Sequence, residues 1–338
     1  MYKVALNFED GVTRFVQTLP GENVADAAYR SGLNIPLDCR DGACGTCKCH
    51  CESGQYEMSG FIDDALSDSE ADQRYVLTCC MVPESDCIVS VPASSEVCVR
   101  SQLADVHATI TEIDHLSSST LSFTVSSDQV RAMHFLPGQY VNIQVPNSDQ
   151  SRAYSFSSMV DVDTESVSFL IRVIPNGVMS GYLSNTAKVG DSMTLRGPYG
   201  SFYLRDVQRP ILMLAGGTGL APFLAMLNKL ESDGLSYPIH LIYGVNNDTD
   251  LVELDKLNHF AERLDNFTFV TCVADEKSQN DRIGFVTHHM DTIPFQDAAE
   301  FDLYLCGPPA MVEAVSQYLQ DNSIKPSHFY YEKFASSK

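Results

Sequence analysis

The sequence predicts a multidomain chain of mixed α+β and α/β class, and three observations carry that prediction. Its 338 residues exceed what a single hydrophobic core usually organises. The middle third reads as short β-rich runs broken by Gly, Pro, Ser and Asp, the rhythm of a small antiparallel barrel. From Pro210 onward strands alternate with helices, which specifies a doubly wound parallel sheet.

Taken in order, residues 2–8 and 12–19 alternate apolar and polar around Asp10-Gly11, a hairpin signal, and 24–31 reads as a short helix closed by Gly32. A cysteine-rich loop follows. Residues 1–98 hold six Lys and Arg against sixteen Asp and Glu, and 91–102 is poor in large apolar residues, so a first domain is expected over 1–98 with a linker at its end. Runs at 108–113, 121–125, 140–145, 167–174 and 193–196 supply the barrel strands of a second domain, 99–207. Strands at 211–215, 239–245, 267–273 and 302–306, with helices at 221–231, 251–263 and 309–320, make the third, 208–338.

Charge narrows the function. A net charge of −22 repels phosphate backbones and anionic lipid, which argues against nucleic-acid and membrane-surface roles and favours a basic protein partner. Glu9 and Asp10 fall where a secretory signal needs an apolar core, so a cytoplasmic location is expected. The uncharged stretch 211–227 is too short for a membrane span, and its Gly216, Gly217, Gly219 and Pro222 read as strand, turn and helix.

Nine of the eleven cysteines lie at or before Cys98. In a long chain without a leader, metal-holding thiolates are a better reading than a disulfide framework. Cys39, Cys44 and Cys47 are spaced Cx4Cx2C, and Cys79 follows after 31 intervening residues in Leu77-Thr78-Cys79, the plant-type [2Fe-2S] spacing. Small Gly42, Ala43, Gly45 and Thr46 let backbone N–H groups turn toward cluster sulfurs. Zinc sites favour paired short spacings, which this loop lacks. Cys80 is a rival to Cys79; Cys49, Cys51, Cys87 and Cys98 read as packing residues. The quoted residues resemble plant-type ferredoxins, a resemblance over 1–98 that implies a β-grasp fold.

Arg152-Ala-Tyr154-Ser155 and Gly177-Val178-Met179-Ser180 suit a phosphate-bearing aromatic cofactor. Arg offers a planar fork to a pyrophosphate, Tyr an aromatic body to a ring, and a glycine-led helix start offers free N–H groups. Taken alone, the first pattern also describes a strand-end Arg and a core Tyr. With Gly197-Pro198-Tyr199-Gly200 it resembles, in order and spacing, the flavin domain of the ferredoxin–NADP reductase family. The resemblance implies Arg152 at the FAD pyrophosphate, Tyr154 against the isoalloxazine and Ser155 near its reactive nitrogen. Gly177 to Ser180 would hold the pyrophosphate, and Arg172 joins the cofactor-binding set. FMN would suit the same groups, but fusion to a ferredoxin favours FAD.

Gly216-Gly217-Thr218-Gly219, with Pro222, sits at a strand-to-helix turn where glycines let backbone approach a pyrophosphate. It departs from GxGxxG but matches the GGxGxxP pattern of the same reductase family, so the resemblance covers all three segments. Cys306-Gly307-Pro308 matches that family's nicotinamide-side loop, and Glu332 and Phe334 resemble its C-terminal acid and the aromatic that covers the flavin. By this resemblance Ser155, Cys306, Glu332 and Phe334 form the catalytic set. Tyr243-Gly244 is expected to line the adenosine. Asp275, at the end of strand 267–273, would accept from a free ribose 2′-OH and repel a 2′-phosphate, so NADH is the expected donor.

The implied activity is an NADH-dependent oxidoreductase: hydride to FAD, single electrons to a [2Fe-2S] cluster, then transfer to another protein. The resemblance is closest to reductase components of bacterial aromatic-ring oxygenases, whose partner is a Rieske-type terminal oxygenase. Asp63, Asp64, Asp68, Glu70 and Asp72 form a candidate docking patch, or a solvated loop. The reductase of a di-iron monooxygenase has the same domain order, and a non-catalytic redox sensor with structural zinc is the reading from another class.

Overall fold

The structure is a computed structural model that describes residues 1–37, 40, 42–43, 45–63, 65–98, 105–161, 163–234, 236–295 and 300–334. It divides into two compact units, Met1–Leu103 with Tyr199–Ser201, and Ala104–Pro198 with Phe202–Lys338.

In the first unit β1 (Lys3–Phe8) buries Val4, Leu6 and Phe8, the period of two of a strand covered on one face. The Asp10-Gly11 turn returns it antiparallel as β2 (Thr13–Gln17). Helix α1 (Val24–Arg30) starts where the Asn23 side chain accepts the Asp26 N–H at 2.8 Å, and it buries Val24, Ala25, Ala27 and Ala28. Then come β3 (Lys48–Ser53), β4 (Tyr56–Met58), α2 (Asp68–Asp72), β5 (Tyr75–Leu77), β6 (Met81–Pro83) and β7 (Cys87–Val91). The main sheet runs β2-β1-β7-β3-β5, with β1 parallel to β7 and the other pairs antiparallel. A mixed sheet clasping one helix is the expected β-grasp.

The expected linker differs from the structure in its first half. Up to Cys98 the chain is docked on this unit: Asn34 N–H donates to the Cys98 carbonyl at 2.7 Å. Ser94 and Ser95 donate three hydrogen bonds to Asp10 Oδ2, at 3.0, 2.8 and 2.6 Å. The Ser95 hydroxyl is the main reason the Asp10 carboxyl is lowered to about 2. Low apolar content here reflects a hydrogen-bonded clasp rather than slack chain. Residues 99–104 lie outside the described residues.

The second unit begins with six strands in one sheet, ordered β11-β10-β13-β8-β9-β12. They are β8 (Val106–His115), β9 (Thr120–Ser126), β10 (Tyr140–Gln144), β11 (Ser151–Ser155), β12 (Ser166–Arg172) and β13 (Ser192–Tyr199), with short helix α3 (Asp128–Arg131) and α4 (Val178–Asn185) between them. The two edge strands meet through an antiparallel bridge, Phe156 to Phe169, with Ser157 N–H donating to the Ser168 carbonyl at 2.9 Å. Inside, Phe123 and Phe156 lie 5.1 and 5.4 Å from the Phe169 ring, aromatic contacts that stabilise beyond burial alone.

Five parallel strands complete the unit in the order β16-β15-β14-β17-β18. They are β14 (Ile211–Gly216), β15 (Ile239–Val245), β16 (Phe267–Val273), β17 (Asp302–Gly307) and β18 (His328–Lys333). Helices α5 (Ala221–Asp233), α6 (Leu254–Arg263) and α7 (Pro309–Asp321) connect them. Residues 211–215 are all buried, as a strand covered on both faces requires. Helix α6 starts three residues later than its pattern suggested because Glu253 takes φ +60, a left-handed residue that breaks the helix before Leu254. The barrel docks on this sheet through Leu170 and Phe202, which join its apolar core, and Met159 N–H donates to Asn228 Oδ1 at 3.2 Å. No helix among the described residues is long and apolar enough to cross a membrane.

Because β14 lies between β15 and β17, the strand order reverses there and opens a crevice at the strands' C-terminal ends. Gly219 is what lets the two sides meet: a Cβ there would lie 2.7 Å from the Cys306 carbonyl carbon and 3.1 Å from the Gly307 nitrogen. Gly219→Ala should therefore lower stability by about 2 kcal/mol or more in chemical denaturation, since backbone must move to admit one methyl. A second expectation concerns pH. His240, buried between Thr268 Oγ1 at 2.8 Å and Thr292 Oγ1 at 3.2 Å, has its pKa lowered by burial, and secondarily by Arg282, to about 4. The unfolded chain binds this proton near pH 6.5 and the folded chain does not, so stability is full above about pH 6.5 and is lost toward pH 4, by about 3 kcal/mol at most. Denaturation at pH 7 and pH 5 should show a smaller drop in His240→Gln than in wild type.

Candidate functional site

Two of the four expected cluster ligands, Cys39 and Cys44, lie outside the described residues. The other two are brought together by strand pairing. Lys48 of β3 stands opposite Leu77 of β5, and Thr78 N–H donates to the Cys47 carbonyl at 3.1 Å. The Cys47 and Cys79 sulfurs converge at 3.3 Å, both buried. Two ligands on one tetrahedral metal with ~2.3 Å bonds would stand about 3.8 Å apart, so little movement separates this pair from a metal-binding geometry. The Cys79 contact, then burial, pushes the Cys47 thiol far above its usual range, so thiolates here need a compensating cation. The residues fit a soft metal centre. Gly42, at φ +75, has Phe61 2.8 Å and Cys80 Sγ 2.9 Å from where a Cβ would be, so the loop closes only around glycine. Cys80 Sγ lies 3.6 Å from Cys79 Sγ.

The acidic patch is less uniform than its sequence suggests. Glu70 turns back to receive the Ser67 N–H at 2.9 Å and pairs with Lys48 Nζ at 2.6 Å. Asp63, Asp68 and Asp72 are exposed; Asp64 lies outside the described residues.

On the barrel, Arg152, Tyr154 and Ser155 lie within β11, the strand that follows β10. The Arg152 guanidinium donates to the Ser151 carbonyl and to Gln150 Oε1, at 2.8 and 2.9 Å. Tyr154 is half-buried and its phenol is raised by burial; Ser155 is buried. Gly177 caps α4 with no side-chain hydrogen bond, leaving first-turn N–H groups to a ligand. Two side chains in this stretch have structural tasks. Ser180 Oγ accepts the Ile174 N–H and donates to the Ile174 carbonyl, both at 3.1 Å, and Met179 is buried in the barrel core. These positions can offer a phosphate only backbone. Arg172, at the end of β12, is exposed.

The crevice gathers most of the nicotinamide-side residues. Gly216 and Gly307 approach at its floor, where a Cβ on Gly216 would lie 3.4 Å from Gly307 Cα. Residues Gly217–Leu220 form a 3-10 turn that holds Gly219 beside Cys306 and Gly307. Cys306 stands opposite Ala215 on one side and Glu332 on the other. Its thiol is fully buried, and burial, then the Glu332 charge, holds its pKa well above the usual value. It stays a neutral thiol, unsuited to nucleophilic attack. Phe334 is half-buried, and its N–H donates to the Gly307 carbonyl at 2.8 Å. Pro308 caps α7. Pro222 is a correction: it is buried in the first turn of α5, so it starts the helix and presents no surface to a ligand.

Tyr243 is a second correction. It is fully buried, and its hydroxyl donates to the Asp250 carbonyl at 3.2 Å, so it braces the sheet and cannot line an adenosine. Gly244, next to it, is half-buried at the strand's end. Asp275 is exposed just after β16, with its N–H donating to the Asn246 carbonyl at 3.0 Å and its Oδ1 accepting the Lys277 N–H at 3.0 Å. The sequence reading missed strand β18, which carries Glu332, and the pair Ser119 and Asp250, whose side chains hydrogen-bond between barrel and sheet. An Asp shortly before a helix reads as a local cap, and no sequence signal reveals a partner 131 residues away.

Residues 7–84 match the 2Fe-2S iron-sulfur cluster binding domain, 107–203 the oxidoreductase FAD-binding domain and 213–317 the oxidoreductase NAD-binding domain. The chain is 57% identical to the toluate 1,2-dioxygenase electron transfer component of Pseudomonas putida, over 99% of each chain. It is 48% identical to the 2-halobenzoate 1,2-dioxygenase electron transfer component of Burkholderia cepacia, over 99% of this chain and 98% of that one. Among solved structures, an Amycolatopsis cytochrome P450 reductase superposes with a TM-score of 0.73 at 29% identity, covering 99% of this chain and all of that one. The chain thus belongs to the dioxygenase electron transfer components, NADH-dependent iron–sulfur flavoprotein reductases with a [2Fe-2S] cluster and FAD.

Proposed function

We propose that this reductase draws electrons from NADH and delivers them singly to the Rieske-type terminal oxygenase of an aromatic-ring dioxygenase acting on a benzoate-like acid, in the cytoplasm. The observation that carries the reading is the crevice where the Gly216–Gly219 turn, the Cys306–Gly307 turn and Phe334 converge on a sheet docked to the flavin barrel. Near-full-length likeness to the toluate 1,2-dioxygenase component supports the partner class. We assign residues 1–98 to the cluster domain, 99–207 to the flavin domain and 208–338 to the nicotinamide domain.

Bound FAD supplies the exchange between two-electron and one-electron chemistry. The chain's own residues bind and orient. Cys39, Cys44, Cys47 and Cys79 hold the cluster, Arg152 and the N–H groups following Gly177 receive the flavin pyrophosphate, and Tyr154 packs on its ring, with Ser155 at the ring edge. Glycines 216, 217 and 219 admit the nicotinamide dinucleotide to backbone contact, with Thr218 beside them. Glu332 borders the nicotinamide, the neutral thiol of Cys306 backs that wall from within the sheet, and Phe334 keeps water from the flavin face until it is displaced. Asp275 selects NADH by receiving the ribose hydroxyl.

Anaerobic NADH should bleach the flavin and produce a reduced [2Fe-2S] EPR signal. In Cys79→Ser the EPR signal and electron delivery to an acceptor protein should disappear while NADH still bleaches the flavin; retention of the signal would transfer the ligand role to Cys80. Steady-state kinetics should favour NADH over NADPH, and Asp275→Arg should narrow that preference by about tenfold or more. Equal use of NADPH by wild type would refute the Asp275 assignment. Reconstitution with a benzoate-type oxygenase should support turnover where a di-iron monooxygenase does not.

A further inference from the structure

We infer that Asp250 is a positioning residue: with Ser119 it latches the nicotinamide sheet to the root of the flavin's phosphate loop and so fixes the distance over which hydride passes. The inference rests on the functional reading above and assigns a residue that reading leaves unused.

The latch has two anchored halves. Asp250 belongs to the short 3-10 turn Asp248–Asp250 after β15. Its carboxylate accepts the Ser119 hydroxyl through Oδ1, and through Oδ2 the Asn247 N–H at 3.3 Å and the Asn247 side-chain amide at 3.0 Å. Its carbonyl accepts the buried Tyr243 hydroxyl at 3.2 Å, so it moves only with β15, whose Gly244 ends at the crevice. On the barrel, Ser119 sits in the turn between β8 and β9, and its carbonyl accepts the Val173 N–H at 2.7 Å. Val173 follows Arg172 and leads within a few residues to Gly177 and α4. One hydroxyl–carboxylate contact therefore joins the segment entering the flavin phosphate loop to the strand bordering the nicotinamide crevice.

The contact is electrostatically supported. Burial opposes the Asp250 charge, but hydrogen bonds from Ser119 and Asn247 and the positive charge of Arg172 outweigh it and hold its carboxyl below the usual value. A charge-assisted hydrogen bond in a half-buried setting is short and directional. Leu170, Phe202 and the Met159 N–H on Asn228 Oδ1 also join barrel and sheet, but the apolar contacts lack direction and the Met159 bond is a long, neutral one at 3.2 Å. Hydride transfer is sensitive to such sliding, since a displacement near 1 Å can cost a hundredfold in rate.

The test is anaerobic stopped-flow reduction of the flavin in the full holoprotein, comparing wild type, Ser119→Ala, Asp250→Ala, the double variant and Asp250→Asn. Each alanine variant should lower the limiting reduction rate about tenfold while the NADH dissociation constant stays within twofold. The double variant should be no slower than the slower single one. Asp250→Asn, which retains an acceptor for Ser119, should recover most of the rate. Should Asp250→Ala not fold, Ser119→Ala, which removes a single oxygen, carries the test. Limiting rates within twofold of wild type, effects that multiply in the double variant, or a loss confined to NADH affinity would each overturn the latch. Failure of wild type to bleach with NADH would instead sink the functional reading and the latch together.

Discussion

The molecule's chemistry depends on one close approach, that of the turn after β14 to the end of β17. Parallel pairing sets Ala215 opposite Cys306, and the missing side chain of Gly219 lets the helix that follows begin directly over the Cys306 carbonyl. Everything else at the crevice follows from this contact. β18 pairs with β17, which places Glu332 beside Cys306 and ties the Phe334 amide to Gly307. Were the two turns an ångström further apart, the crevice would widen and the backbone surface that the glycines expose would break up.

The architecture was largely legible because its signals are local and periodic. Alternation around Asp10-Gly11 gave the first hairpin, and buried runs such as Ile211 to Ala215 gave parallel strands. The glycine and cysteine spacings carried the chemistry. What escaped was whatever depends on distant partners. β18 reads His-Phe-Tyr-Tyr-Glu-Lys, with no fully buried position and no sharp alternation, because it is the edge strand of its sheet. Tyr243 looked like a ligand contact since it ends a strand beside a glycine; only the fold shows its ring in the core with its hydroxyl on Asp250. The tasks of the Ser180 and Met179 side chains, on Ile174 and in the barrel core, escaped for a related reason. A motif tells which positions matter, but not whether the side chain or the backbone at each does the binding.

Two kinds of sulfur coexist in the chain. Cys47 and Cys79 face one another and gain charge only with a metal between them. Cys306, Cys49 and Cys98 are held neutral, as burial, helped at Cys306 and Cys98 by nearby carboxylates, raises each thiol well above its usual value. Burial thus lets a cysteine-rich protein keep most of its thiols inert while a few take up iron.

Phe202 packs edge-on against Phe223 and Tyr304, at the seam between barrel and sheet. The chain has fifteen tyrosines and no tryptophan, so the polypeptide has no indole emission of its own. A single indole introduced at that seam would be the sole tryptophan, and energy transfer from it to bound flavin would give an optical ruler for how tightly barrel and sheet stay closed during turnover.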